Sequence, residues 1–164
     1  MAIKKFYIDD TELLDSLIVK IKQGILQKDN VSYVTNVKAK MTSYKFFNEG
    51  RGKPEFEKLK KVFPQYNITD IWGNVYNKGD KAEVHHHTNV DFGDELAFGR
   101  YETSGIIYLT NSKHGTIFTE LGITESAEKG KVLLFSSTEL HEVPTVEEEE
   151  RITIGFNAYL SYAR

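Results

Sequence analysis

The sequence predicts a mainly β fold: an antiparallel barrel or two-sheet roll, with helices in the first half buttressing one sheet from outside. Three observations carry this expectation. Apolar residues recur with a period of two from Ile68 to Leu160, in short runs divided by turn signals. No helical segment lies between those runs, as the crossovers of a parallel sheet would require. Ten Phe and nine Tyr stand against only three Pro, a balance that suits a pleated, half-buried surface.

Two amphipathic helices come first. Asp9 and Asp10 precede Leu13, Leu14, Leu17, Ile18, Ile21 and Ile25, whose spacing makes one apolar face. Asp9 with Glu12 has the form of a capping box, which offers a carboxylate to the unpaired N–H groups of the first turn. A second helix is expected from Pro54, a favourable first-turn residue, with Phe56, Leu59, Val62 and Phe63 as its buried stripe. Strands are then expected at 68–77, 82–88, 104–110, 115–120, 131–136, 140–146 and 151–160. Asn77-Lys78-Gly79-Asp80, the segment 111–115 and Lys129-Gly130 supply turns between them. Residues 89–101, with two glycines and three acids, read as a longer loop, and the acidic run Glu147–Glu150 as a solvated hairpin loop. The expected organisation is one domain over 1–164, with a helical part at 1–66 and a β core at 68–160.

Composition narrows the class. A chain of 164 residues, 40% hydrophobic and 27% charged, suits one soluble domain. Twenty-one basic against 24 acidic residues give a net charge of -3, which excludes a strongly basic nucleic-acid binder and gives no support to an anionic-membrane partner. No apolar run approaches the ~18 residues of a membrane span. The opening MAIKKFYIDD lacks the pattern of a secretory signal, so a cytoplasmic location is expected. The chain has no cysteine, which excludes disulfides, thiolate metal sites and Cys nucleophiles.

The most informative segment is Glu83-Val84-His85-His86-His87-Thr88. On a strand, His85 and His87 project to one face and His86 to the other, with the first two Cα atoms ~6.6 Å apart at the usual rise. Two imidazoles so placed can converge on one metal ion; the plainer reading is a polar patch at a strand end. A further histidine, His141, opens a late strand, and ten residues on Arg151 opens the last one. Alternation then puts Arg151, Thr153, Gly155 and Asn157 on one face and Ile152, Ile154, Phe156 and Ala158 on the other. An inward arginine expects an anion, because an unpaired buried guanidinium is costly and its fork matches a carboxylate at two points. The alternative is a surface pairing with Glu147–Glu150. His114 reads as a solvated turn residue, and Trp72, Phe118 and Phe135 as core aromatics.

Taken in order, Trp72-x-Asn74, His85-x-His87, Ser104-Gly105-Ile106-Ile107-Tyr108-Leu109, Gly130-Lys131-Val132-Leu133-Leu134-Phe135, His141-Glu142-Val143-Pro144 and Arg151-Ile152-Thr153-Ile154-Gly155-Phe156-Asn157 resemble the iron(II)/2-oxoglutarate-dependent oxygenases of marine bacteria and cyanobacterial phages, which are prolyl-hydroxylase-like. The resemblance covers about residues 68 to 160. It implies a double-stranded β-helix, the jelly-roll barrel also used by cupins. It implies Fe(II) as the metal and 2-oxoglutarate as co-substrate, with His85, His87 and His141 as metal ligands and Arg151 on the far carboxylate of 2-oxoglutarate. Tyr108, Thr153 and Asn74 are implied as further contacts to the co-substrate. The implied reaction is a dioxygenase hydroxylation of a small-molecule or peptide substrate, with release of succinate and CO2.

The chain departs from that family at one position. The usual His-x-Asp or His-x-Glu would give two imidazoles and a carboxylate, whereas here the second position is His87. Three histidines are the simplest set, since two same-face positions on one strand need no loop rearrangement; Asp91 from the loop is the alternative ligand, and loss of oxidative chemistry is the third outcome. Two rival functions follow. A cupin-like metalloprotein that does not use 2-oxoglutarate would have a dispensable Arg151. A non-catalytic jelly-roll binding or viral module would leave the three histidines scattered.

Overall fold

The computed structural model describes residues 3–26, 36–87, 102–147 and 150–161. In chain order the elements are β1 (Lys4–Tyr7), α1 (Thr11–Leu26), β2 (Val37–Lys38), β3 (Lys40–Met41), α2 (Phe46–Glu49), α3 (Lys53–Leu59) with a single 3-10 turn after it (Lys60–Val62), β4 (Tyr66–Tyr76), β5 (Lys81–His85), β6 (Thr103–Tyr108), β7 (Ser112–Phe118), β8 (Ile123–Ala127), β9 (Lys131–Ser136), β10 (His141–Val143) and β11 (Arg151–Leu160). The strands form two sheets, ordered β1-β9-β6-β11-β4-β3 and β2-β5-β10-β7-β8. Every described pairing is antiparallel. This is the double-stranded β-helix expected from the sequence.

Helix α1 starts where a carboxylate caps it, at Asp10 rather than Asp9. The Leu13 amide donates to Asp10 Oδ1 at 3.0 Å, satisfying one of the free donors of the first turn. Its apolar face buries Leu13, Leu14, Leu17 and Ile21 against the six-stranded sheet, where they share one core with Phe46 and Phe47 of α2 and with Phe56 and Leu59 of α3. Each such side chain contributes roughly 1.5–3 kcal/mol of burial. From the sheet, Ile152, Ile154, Phe156 and Ala158 of β11 face this layer and are at most 1% exposed. The opposite face of β11 presents Arg151, Thr153, Gly155 and Asn157 to the inside of the roll, as alternation predicts.

At two points in this sheet the close approach of an aromatic ring depends on glycine. The Phe156 ring lies over Gly105, where a Cβ would stand 2.1 Å from its Cζ. Across the sheet the Trp72 indole covers Gly155, where a Cβ would meet Cζ2 at 2.7 Å. Both glycines thus make room for an aromatic ring rather than for a turn.

Several elements differ from the sequence reading. Strands β1, β2 and β3 lie in the part expected to be helical and extend the two sheets at their edges. They are two to four residues long, too short to show a period. Strand β8 was not expected, because its Ile123-Thr124-Glu125-Ser126-Ala127 sequence carries no inward apolar row. Strand β7 begins at Ser112, inside the segment read as a turn, and its register on β8 shifts between Ser112 and Thr116. His114 therefore sits on a strand, half-buried, with Nε2 3.1 Å from Glu147. Among the described residues no helix is long and apolar enough to cross a membrane.

Beside β8, Lys131 is a buried cation with its charge answered. Its side chain is 3% exposed, and Nζ lies 3.0 Å from Glu125 and 3.3 Å from Glu128. Burial pushes the Glu125 carboxyl upward, but hydrogen bonds and charge from Lys131 and Lys5 outweigh this and leave its pKa lowered. Stability from Glu125 is thus present above the ordinary carboxylate range and is lost as pH falls through it. Glu125→Gln should flatten the pH dependence of the urea midpoint between about pH 5 and pH 3; a profile unchanged from the parent protein would remove this ion pair from the acid limb. Gly105→Ala should destabilise by about 1–3 kcal/mol through overpacking against Phe156, read as a lower urea midpoint at constant slope.

Candidate metal centre

Sheet register brings the three histidines together. His85 ends β5 and His141 opens β10, and the two are direct cross-strand partners, with ring centroids 4.3 Å apart. His87 lies two residues beyond the end of β5, where its amide donates to the Ser137 carbonyl at 2.9 Å. That bond turns the chain so that the His87 ring meets His141 at 4.8 Å between centroids. One ring nitrogen from each of the three lies within 4.8 Å of the others. His86 is exposed. Asp91, the alternative ligand, lies outside the described residues, as do Asp94, Glu95, Arg100 and Tyr101 of the expected loop.

Protonation follows from the partners. His85 Nδ1 lies 2.6 Å from the Glu83 carbonyl and His141 Nδ1 lies 2.9 Å from the Glu139 carbonyl. A carbonyl oxygen only accepts, so both Nδ1 atoms carry the proton and both Nε2 atoms present a lone pair. The His87 Nδ1 lies 3.0 Å from the Asn157 side-chain amide oxygen. All three rings are held neutral. Burial lowers the His141 pKa to about 3, with His85 adding to the effect. Burial likewise drives His87 well below the ordinary value, with His141 next in effect, and lowers His85 as well. Neutral imidazoles with Nδ1–H bound to an oxygen are the form in which histidine ligates a metal.

The donor set fits an ion. The His87 and His141 Nε2 atoms are 3.2 Å apart. Two ligands on one ion at bonds of ~2.1 Å have about that separation. Two lone pairs at that distance repel unless a cation or a proton lies between them.

On the facing sheet, Arg151 lines the same recess, of about 390 Å³ with its open mouth included. The guanidinium belongs to a fully buried side chain, and its Nε has no hydrogen-bond partner among the described residues. It is sandwiched between the Tyr76 and Tyr108 rings, 4.8 and 5.5 Å from their centroids, and Nη2 reaches Thr116 Oγ1 at 3.4 Å. The surface alternative fails for the described acids: Glu147 pairs with Lys113 and His114, and Glu150 with Lys22. No acidic side chain is among the described residues that line the recess.

The remaining sequence candidates are placed as follows. Thr153 and Asn74 face each other across β11 and β4 and line the recess, with Asn74 Nδ2 donating to Thr153 Oγ1 at 3.2 Å. Tyr108 is not part of the lining; its hydroxyl pairs with Thr116, and its ring backs the guanidinium. Trp72, read as a core aromatic, also lines the recess. Tyr76 was missed, although it continues the Trp72, Asn74 row by alternation and pairs in register with Arg151. The Glu83 and Glu139 carbonyls were missed as well, since backbone acceptors leave no mark in the residue types.

No family model matches the sequence, and no curated protein matches it. Solved structures do. The fold is that of the 2-oxoglutarate-dependent oxygenases. The chain is similar to the viral collagen prolyl hydroxylase of Paramecium Bursaria Chlorella virus-1 in its 2-oxoglutarate complex, at 17% identity over 98% of this chain and 97% of that one, with a TM-score of 0.68. A Trichoplax adhaerens prolyl hydroxylase, solved with a peptide fragment of the hypoxia inducible factor oxygen degradation domain, superposes with a TM-score of 0.71 at 14% identity, over 99% of this chain and 85% of that one. A Pseudomonas putida prolyl-4-hydroxylase gives a TM-score of 0.64 at 14% identity, over 96% and 92% of the two chains. At these identities the likeness is one of fold.

Titration with Co(II), followed by calorimetry and by visible absorption, should show one site per chain. His141→Ala should weaken that site by at least about 100-fold, while the parent protein at a metal concentration of 100 Kd should gain about 2.7 kcal/mol of stability. Uptake of Co(II) unchanged in the variant would take the trio out of metal binding.

Proposed function

We propose that this protein is an Fe(II)/2-oxoglutarate-dependent dioxygenase that hydroxylates a peptide or small-molecule substrate. One observation carries the reading most: a buried guanidinium without a carboxylate partner among the described residues shares a recess with three neutral imidazoles. Each group is costly to bury alone. Together they are complementary to a divalent cation and a small dicarboxylate. The solved neighbours support the same choice, since one holds 2-oxoglutarate and another a peptide fragment.

In this reading His85, His87 and His141 hold the iron and Arg151 holds the far carboxylate of 2-oxoglutarate through its planar fork. With both bound, the centre supplies oxidative decarboxylation to succinate and CO2 coupled to hydroxylation. The protein's own part is positional. Tyr76 and Tyr108 clamp the guanidinium from two sides. Thr153 and Asn74, one row further along the sheet, offer a hydroxyl and an amide to the dicarboxylate. Trp72 fills the space over Gly155 and keeps that side of the recess dry. Three neutral ligands leave the loaded centre one unit more positive than a set with one carboxylate, which favours an anionic co-substrate.

Anaerobic addition of Fe(II) and 2-oxoglutarate should give a visible charge-transfer band that needs both reagents. Arg151→Met should weaken 2-oxoglutarate binding by at least about 30-fold while leaving Co(II) affinity within a few-fold. The same variant should unfold no earlier than the parent protein, because it replaces an unpaired buried charge with an apolar chain of similar length. A band that survives in the variant at unchanged 2-oxoglutarate affinity favours the metalloprotein that does not use 2-oxoglutarate.

A further inference from the structure

The polar row at the end of β11 does more than fill space. Asn157 is 7% exposed and has cross-strand partners on both sides, Asp70 on β4 and Ser104 on β6. Its Oδ1 faces His87 Nδ1 at 3.0 Å and accepts from the Ser104 hydroxyl at 2.9 Å. Its Nδ2 donates to Asp70 Oδ2 at 3.4 Å, and the other oxygen of Asp70 is paired with Lys45 at 3.1 Å. The amide therefore lies between an imidazole and a carboxylate.

An amide has two orientations of nearly the same shape, and only its neighbours choose between them. With Oδ1 toward His87, the His87 proton sits on Nδ1 and Nε2 offers its lone pair. With the amide reversed, Nδ2 would donate to His87 Nδ1 and the proton would move to Nε2. That proton would point at His141 Nε2, 3.2 Å away. The two ligands would then satisfy each other, and the lone pairs a metal needs would be used up. Ser104 does not choose, because a hydroxyl donates or accepts equally well. Asp70 does, because reversal would set the amide oxygen against a carboxylate oxygen.

We propose that Asp70, acting through the Asn157 amide, is a positioning residue that holds His87 in the metal-accepting tautomer and prevents the site from closing on an internal His87–His141 hydrogen bond. This rests on the reading of the three histidines as a metal centre. The register fixes the relay: Asp70, Asn157 and Ser104 form one row across three adjacent strands, and His87 meets its middle member.

The test uses the full chain labelled with 15N at its five histidines. Long-range proton–nitrogen correlation spectra of the metal-free protein near pH 7.5 report the tautomer of each ring. Co(II) titration reports affinity. In the parent protein His87 should be the Nδ1–H form. Asp70→Asn, which keeps the shape of the side chain, and Asn157→Leu should each move His87 toward the Nε2–H form, with Co(II) affinity falling about 10–100-fold for Asn157→Leu. Thermal unfolding identifies any variant that has lost the fold, and Asp70→Asn carries the test if Asn157→Leu does not fold. A His87 tautomer unchanged in Asp70→Asn overturns the relay even if metal binding is intact. A parent protein that takes up no Co(II) overturns instead the metal reading on which the relay rests.

Discussion

Strand β11 must satisfy two opposite environments, and the rest of the molecule is arranged around that constraint. One face has to be apolar, because it is the floor on which α1, α2 and α3 bury their aromatic and aliphatic side chains. The other enters the roll, where a polar group left without a partner is costly. Alternation separates the two sets completely over residues 151–158, so the strand can neither slip by one residue nor turn over. The flanking rows follow. Tyr76, Asn74, Trp72 and Asp70 on one side and Tyr108, Ile106 and Ser104 on the other fall opposite Arg151, Thr153, Gly155 and Asn157 because of the register.

Desolvation acts on the two halves of the recess in opposite ways that suit one purpose. It discharges the imidazoles, which leaves them in the form that can bind a metal. The Arg151 guanidinium, by contrast, is a buried cation in a poorly screened place. Aromatic faces and the hydroxyls of Thr116 and Tyr76 soften its isolation without neutralising it. A protein evolved only for stability would fill this space with apolar side chains. In the proposed function that local penalty is offset by the bound dicarboxylate.

The main strands and the two principal helices were readable because each carries a strong period. Strands β9 and β11 have the expected bounds, and α1 has the expected face. The convergence of His85, His87 and His141 was readable only in part. Alternation places the first two on one face, but the approach of His141 depends on the pairing of β5 with β10, a contact between segments 56 residues apart in sequence. His87 in fact lies beyond the strand, so a hydrogen bond to Ser137 rather than alternation sets its direction. The burial of Arg151 was an open question, since the adjacent acidic run gave a competing surface partner. Strand β8 and the edge strands left too little pattern, being polar or short. Asn157 lay in plain view on the polar face of β11, but its meaning depends on Asp70, 87 residues away.

The first strand has one more implication. β1 lies at the border of the six-stranded sheet, hydrogen-bonded to β9 through Lys4, Lys5, Phe6 and Tyr7 opposite Leu134, Leu133, Val132 and Lys131. The segment it shields contains Val-Leu-Leu-Phe, the kind of sticky, uncharged stretch that recruits other chains when its backbone is left open. Two lysines on so short a rim discourage such recruitment. Strand β1 therefore works as a cover against self-association, and removing it would threaten solubility before it touched the chemistry.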